Sequence, residues 1–303
     1  MNDQAENLRR LLRNDQRKDA KVIAIVSGKG GVGKSNVCLN VAISLSKLGK
    51  KVAIFDLDIG MANLNILMGL TANYHLMDLL DNQLSIWDIM EEGPAGLSYI
   101  AGGSGFSSFV ELTDERLQKF FSQLELIGEH FDYIFLDMGA GATKESVELV
   151  MAVHEVFVVT TPEPTAMTDA YSMIKFIHLK DDLKPMYLIV NRVDSEKEGL
   201  RTIESFKKVA LQFLQKDISA LGYIPNDPAV SKAVKAQTPF VLFDSFSKGS
   251  QAVARIAALY IGQKQVTPTK YGQFLSKKRV FCSFFRRTTY HHNWTWVIIH
   301  QLF

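Results

Sequence analysis

Eight consecutive residues, Gly28-Lys29-Gly30-Gly31-Val32-Gly33-Lys34-Ser35, combine four glycines, two lysines and a hydroxyl. Glycine lacks the Cβ that holds a backbone away from a ligand, so such a run lets successive N–H groups turn toward one centre of negative charge. Lys34 adds a cation for phosphate oxygens, and the Ser35 hydroxyl adds a ligand for Mg²⁺. The spacing G-x-x-x-x-G-K-S is that of a phosphate-binding loop, which works only between a strand and a helix whose dipole points at the same anion. Both flanks agree, since Val22–Val26 reads as a buried strand and Gly33–Leu48 as a helix. The implied chemistry is binding of a nucleoside triphosphate and attack on its terminal phosphate. Lys29 is surplus to that chemistry.

Two carboxylate sites accompany the loop. In Phe55-Asp56-Leu57-Asp58 the period of two places Asp56 and Asp58 on one face, where the C-terminal end of a parallel strand meets ligand. Capping of the following turn is the competing use of both. Tyr133-Ile134-Phe135-Leu136-Asp137-Met138-Gly139 is an apolar strand ending in an aspartate and a glycine turn, which orients Asp137 toward Mg²⁺ through its water shell.

Short apolar runs alternate with helix-length segments along the chain. Strands are expected at Val22–Val26, Lys51–Asp56, Leu97–Ala101, Asp132–Asp137, Glu155–Thr160, Met186–Asn191 and Ser219–Ile224. Helices are expected at Gly33–Leu48, Asp114–Gly128, Thr165–Leu179 and Glu198–Gln215. This rhythm predicts an α/β fold with a single doubly wound, mostly parallel sheet and helices on both faces. Helical extensions are expected at both ends, giving residues 1–20 as a polar leader, 21–262 as the domain and 263–303 as a linker and tail.

The net charge of +2 is unevenly spread: nine basic and no acidic residues follow Asp244, so the first 244 residues sum to −7. A DNA- or cargo-positioning ATPase is the alternative reading, and an acidic body argues against the DNA-binding form of it, which needs basic residues on the folded surface. Two cysteines, Cys38 and Cys282, give no spaced framework for disulfides or an iron–sulfur cluster. No apolar segment approaches the roughly 20 residues that span a bilayer, and no secretory leader pattern opens the chain, so the expected location is cytoplasmic.

The pattern K-G-G-x-G-K-S over Lys29–Ser35 resembles the deviant Walker A motif of the MinD/ParA family of ATPases, whose P-loop fold is of the SIMIBI type. The resemblance implies ATP and Mg²⁺ as cofactors and a homodimer that sandwiches nucleotide, with Lys29 reaching the partner subunit's phosphates. It places Asp58 in switch I, where it positions the attacking water, with Lys34 and Lys29 neutralising charge on the phosphates. Asp56, Asp137 and Ser35 serve the metal, and Gly28, Gly30, Gly31, Val32 and Gly33 the phosphates. Val190-Asn191-Arg192 matches the family's base-contacting pair, and Gly222-Tyr223-Ile224-Pro225-Asn226 matches the loop that closes over adenine, with Pro225 as a wall and Asn226 as a contact.

Within that family, Asp137-Met138-Gly139-Ala140-Gly141 and Thr160-Thr161-Pro162-Glu163-Pro164-Thr165-Ala166-Met167-Thr168-Asp169-Ala170-Tyr171 look more like the flagellar-number regulators called FlhG, FleN or YlxH. Those usually carry threonine where Met138 stands. The opening Asp3-Gln4-Ala5-Glu6-Asn7-Leu8-Arg9 resembles the motif with which they bind and stimulate the GTPase FlhF; Ala5, Leu8 and Leu12 recur at helical spacing. Flagellar switch-complex proteins and a flagellar master transcription activator are the other partners implied. The tail supplies Phe274, Phe281 and Phe285 within about 40° of one another at 100° per residue, interleaved with Lys277, Lys278, Arg279, Arg286 and Arg287. This resembles the family's amphipathic membrane-targeting helix, suited to anionic lipid. Nucleic-acid contact is the rival reading of that stretch. The expected location is therefore peripheral, on the inner face of the cytoplasmic membrane, including the cell pole. Residues 288–303 match nothing in the family pattern and read as an altered terminus or an extra interfacial anchor.

Overall fold

The computed structural model describes residues 20–58, 63–81, 84–103, 114–141 and 144–266. The expected leader motif, Asp3–Arg9, and the tail from residue 267 onward lie outside them.

Eight strands form one sheet: β1 Lys21–Val26, β2 Val52–Leu57, β3 Glu91–Glu92, β4 Ser98–Ile100, β5 Tyr133–Met138, β6 Glu155–Thr160, β7 Met186–Val193 and β8 Ser219–Pro225. Their spatial order is β3-β4-β2-β5-β1-β6-β7-β8. Every described pairing is parallel except β3 with β4. Strands β2, β5 and β6 are buried along their whole length, which is why their sequences run apolar without alternation. All seven expected strands are present, shifted by at most two residues at either end. The two-residue β3 escaped detection because Glu-Glu has neither length nor strand propensity.

The helices are α1 Lys34–Lys47, α2 Leu64–Met68, α3 Leu76–Asp81, α4 Ile86–Ile89, α5 Asp114–Ile127, α6 Lys144–Ala152, α7 Pro164–Lys180, α8 Glu196–Leu214, α9 Pro228–Lys235, α10 Phe240–Phe243 and α11 Lys248–Val266. The four expected helices are α1, α5, α7 and α8. Helix α11 passes the expected domain end at Gly262, so residues 263–266 are helix rather than linker.

Two apolar layers flank the sheet. One packs Leu79, Phe120, Ile174 and Phe206 of α3, α5, α7 and α8 against Phe55, Ile134 and Val158. The other packs Leu39, Ile43 and Leu45 of α1 and Val253, Ile256 and Tyr260 of α11 against Ile23, Phe135 and Phe157. Caps fix the helix starts: Ser195 accepts the Glu198 N–H at 3.2 Å, and Asp227 accepts the Ala229 N–H at 2.9 Å. Strand β1 lies between β5 and β6, so the chain crosses to opposite sides of it and leaves a crevice at the C-terminal ends of β1 and β5. The phosphate-loop sequence follows β1 directly into that crevice.

Candidate functional site

Sequence places Ser27–Gly33 as the turn between β1 and α1, and its glycines are required for three separate reasons. Gly31 and Gly33 have φ of 82° and 87°, the left-handed region that L side chains rarely adopt. A Cβ at Gly28 would sit 2.1 Å from the Asp169 carbonyl carbon, so the loop packs directly against the backbone of α7. A Cβ at Gly33 would sit 2.5 Å from Nδ2 of Asn191. Gly33 also caps α1 without a side-chain hydrogen bond, leaving the first-turn N–H groups to the loop's interior.

The two lysines of the loop diverge. Lys34 is buried, and its ammonium donates to Asp137 Oδ1 at 2.7 Å. Lys29 turns outward with its side chain 45% exposed, donates to Thr165 Oγ1 at 3.2 Å, and lies 3.5 Å from Glu163 Oε2. Ser35 Oγ is 3.5 Å from the Lys34 ammonium.

Register brings the aspartates together, because Asp56 of β2 stands beside Asp137 of β5. Burial pushes the Asp137 carboxyl above its ordinary value, and Lys34 pulls it back. Its Oδ2 is buried with no hydrogen-bond partner among the described residues. Asp58 Oδ1 lies 3.5 Å from the point where a Gly139 Cβ would stand, so the Asp58 carboxylate sits over the turn leaving β5. The Asp56 oxygens accept the N–H groups of Asp58 at 3.1 Å, Asn63 at 2.9 Å and Leu64 at 3.2 Å. The capping use of Asp56 is thus realised, since its carboxylate holds both ends of the segment that contains residues 59–62. Ile59 and Gly60 lie outside the described residues.

Burial and the charge of Asp137 push Asp56 up to about 6, against three N–H groups that pull it down. A carboxyl raised above its unfolded value is unpenalised in acid and costs stability once ionised. Without nucleotide or Mg²⁺, wild type should therefore lose about 1 kcal/mol relative to Asp56→Asn between pH 5 and pH 7, at about 1.4 kcal/mol per unit below the folded pKa. Parallel denaturation curves for the two proteins check this; a pH-independent difference contradicts the raised pKa.

At the other end of the crevice, β7 bulges between Val190 and Val193, with Arg192 at φ 57° and exposed. The Val193 carbonyl accepts the Asn226 N–H at 2.8 Å, and Asn226 Nδ2 donates to Asp194 Oδ1 at 3.2 Å. The expected base-binding residues Asn191, Arg192, Pro225 and Asn226 are therefore neighbours. Asn191 has a second use as well: its Nδ2 donates to the Val32 carbonyl at 2.8 Å, so the same amide steadies the phosphate loop.

A turn of left-handed glycines, a buried ammonium and a buried carboxylate oxygen without a partner fit a polyphosphate with its divalent cation. The family model for the CobQ/CobB/MinD/ParA nucleotide binding domain matches residues 23–240. The chain belongs to this family. It is an ATPase of the MinD/ParA type. Among its relatives, the antiactivator FleN of Pseudomonas aeruginosa is 33% identical over 234 residues, covering 77% of this chain and 83% of FleN. The flagellum site-determining protein YlxH of Helicobacter pylori is 34% identical over 295 residues, covering 95% of this chain and 98% of YlxH, so that match reaches into the termini. A solved structure of MinD complexed with Mg-ADP from Pyrococcus horikoshii superposes with a TM-score of 0.66 at 26% identity, covering 81% of this chain and 97% of that one.

Other contacts of this MinD/ParA domain join the loop to the Thr160–Tyr171 stretch, which the sequence marked by resemblance without saying what its residues touch. Glu163 and Thr165 at the start of α7 receive Lys29, and Asp169 and Ala170 wall the loop through backbone alone. Only the absence of a side chain at Gly28 hinted at the latter. Cys38 lies fully buried beneath the loop, and burial holds its thiol well above its usual value, so it stays a protonated core residue.

Proposed function

We propose that this chain is an ATP-driven dimerisation switch that acts at the cytoplasmic membrane to set flagellar number and placement. The observation that carries the reading is the division of labour between the two loop lysines. Lys34 is held inward by Asp137, whereas Lys29 is turned out of its own loop at the sheet's C-terminal edge, where a second copy would bring its phosphates. A cation presented to a polyanion as water is excluded gains far more than one in solvent.

In this reading ATP and Mg²⁺ are the cofactors. Gly28 to Gly33 cradle phosphates through backbone N–H groups, and Lys34 exchanges its carboxylate for phosphate oxygens. Ser35 and Asp137 hold the metal, with Asp56 supporting them through the loop it fastens. When bound, Mg²⁺ supplies charge neutralisation across the phosphate oxygens. Asp58 orients the attacking water, and Lys29 of each copy contacts the partner's phosphates. Arg192, Pro225 and Asn226 line the base, with Asn191 behind them.

The names of FleN as an antiactivator and YlxH as flagellum site-determining support the flagellar role. The leader Asp3-Gln4-Ala5-Glu6-Asn7-Leu8-Arg9 then engages an FlhF-like GTPase. The dimer meets flagellar switch-complex proteins or a master transcription activator, and the Phe274–Phe285 tail binds anionic lipid on the inner face of the membrane. Light scattering tests the core of this reading. The wild type should double its mass on addition of ATP and Mg²⁺, while Lys29→Ala stays monomeric with its nucleotide affinity retained. Doubling by Lys29→Ala, or no doubling by the wild type, rejects it.

A further inference from the structure

The edge of the sheet opposite the phosphate loop carries its own concentration of unusual residues. Helix α11 arrives there, because the Tyr260 hydroxyl donates to Glu155 Oε2 at 2.6 Å, on the first residue of β6. The Tyr260 ring also lies 5.8 Å from Tyr187 near the start of β7. The helix continues from Tyr260 to Val266, so the described residues end on this side of the sheet.

Helices α7 and α8 end on the same edge. Leu179 in the last turn of α7 is 72% exposed, and Leu183 in the loop to β7 is 70% exposed. Leu211 and Phe213 near the end of α8 are 59% and 39% exposed. The Lys216 ammonium ties the two helix ends together, donating to the Lys184 carbonyl at 2.9 Å and to that of Asp182. Single exposed leucines are ordinary, but here four large apolar side chains stand exposed at two helix ends that Lys216 joins. Of the six lysines in residues 175–184 and 207–217, Lys184 is buried on the Met151 and Val153 carbonyls and Lys216 is held on the loop carbonyls, which leaves Lys175, Lys180, Lys207 and Lys208 for the surface beside three aspartates. Two of those aspartates lie near lysines of the same rim, Asp181 at 3.6 Å from Lys184 and Asp217 at 3.4 Å from Lys207.

We propose that this rim is a second lipid-contacting surface of the folded body, specific for anionic bilayers. The inference rests on the reading of the tail as membrane-binding, and extends it. Leucines spaced between lysines suit a headgroup layer, where apolar side chains insert and ammoniums meet phosphates. Continuity argues for lipid over a protein partner, because α11 reaches this edge and the sequence that follows it carries the basic, phenylalanine-bearing stretch already read as membrane-binding. With both engaged, the domain stands with its nucleotide edge away from lipid, free to meet a second copy.

The test uses the full chain with ATP and Mg²⁺ on phosphatidylglycerol–phosphatidylethanolamine vesicles, with phosphatidylcholine vesicles as the uncharged control. Leu179→Ser combined with Leu183→Ser should lower partition about tenfold, the loss expected from withdrawing two partly inserted leucines. Its ATP hydrolysis without vesicles should be unchanged, since both positions are solvent-exposed and remote from the loop. A dye on Leu183→Cys, in a Cys282→Ser background that leaves only buried Cys38, should shift to the blue on anionic vesicles alone. If the wild type binds and the double variant binds equally, or the dye does not shift, the rim is rejected and the tail reading stands. If the wild type itself fails to bind, the tail reading fails and the rim falls with it. A double variant with altered oligomeric mass but unaltered partition would make the patch a protein interface, which also rejects it.

Discussion

Lys34→Ala should lose about 3–5 kcal/mol of stability at neutral pH as well as its nucleotide chemistry, because it strands a buried carboxylate. Asp137 has one oxygen on Lys34 at 2.7 Å and the other with no partner among the described residues, and its side chain is 1% exposed. Burial already pushes this carboxyl upward, and Lys34 is the chief influence holding it down. Without the ammonium, the folded-state pKa rises further, so the variant should be least penalised in acid and most penalised above neutrality. Asp137→Asn in the Lys34→Ala background removes the stranded charge and should recover most of the loss. Hydrolysis should not return, because neither the phosphate cation nor the metal-side carboxylate is restored. Denaturant unfolding of the wild type and the two variants at pH 5.5 and pH 8 separates these effects. Equal stability of wild type and Lys34→Ala would mean that the pair is solvent-screened rather than buried.

The parts of this site legible from sequence are those whose chemistry demands a fixed local pattern. The loop glycines announce themselves because left-handed φ at Gly31 and Gly33 admits few other residues. Strand β5 announces itself because a central parallel strand must be apolar on both faces until Asp137 faces ligand. What was not legible depends on distant segments meeting. The packing of Gly28 on Asp169 joins residues 141 positions apart, and the Asn191–Val32 hydrogen bond joins residues 159 apart. Neither leaves a periodic trace. Asp56 marks an intermediate case. Its place at the end of β2 was readable, but whether it would serve the metal or the next turn turned on where Asn63 and Leu64 folded back. The short elements α2, α3, α4 and α10 are unread for a different reason, since four to six residues seldom complete enough turns to establish a helical period.

Asp58→Ala should separate binding from turnover in the proposed cycle. The Asp58 backbone N–H, which remains in the variant, keeps its 3.1 Å bond to Asp56, so the loop stays fastened. Its carboxylate adds to the negative charge that raises the Asp137 pKa, so removing it relieves repulsion and should leave stability at least equal to wild type. What disappears is the one carboxylate of the three that neither carries Lys34 nor holds the segment to Asn63 and Leu64, and stands instead over the Gly139 turn. Loss of a group that orients or activates water typically costs a factor of about 10² to 10⁴. Phosphate release should fall by that factor while nucleotide affinity holds, and ATP alone should then hold the variant as a long-lived dimer on vesicles. The contrast with Lys29→Ala is sharp, since that variant should bind nucleotide and never dimerise. Should Asp58→Ala hydrolyse ATP at the wild-type rate, the water-positioning role passes to another group. Should it stay monomeric with ATP, hydrolysis is not what dissolves the dimer, and the order of the cycle is different.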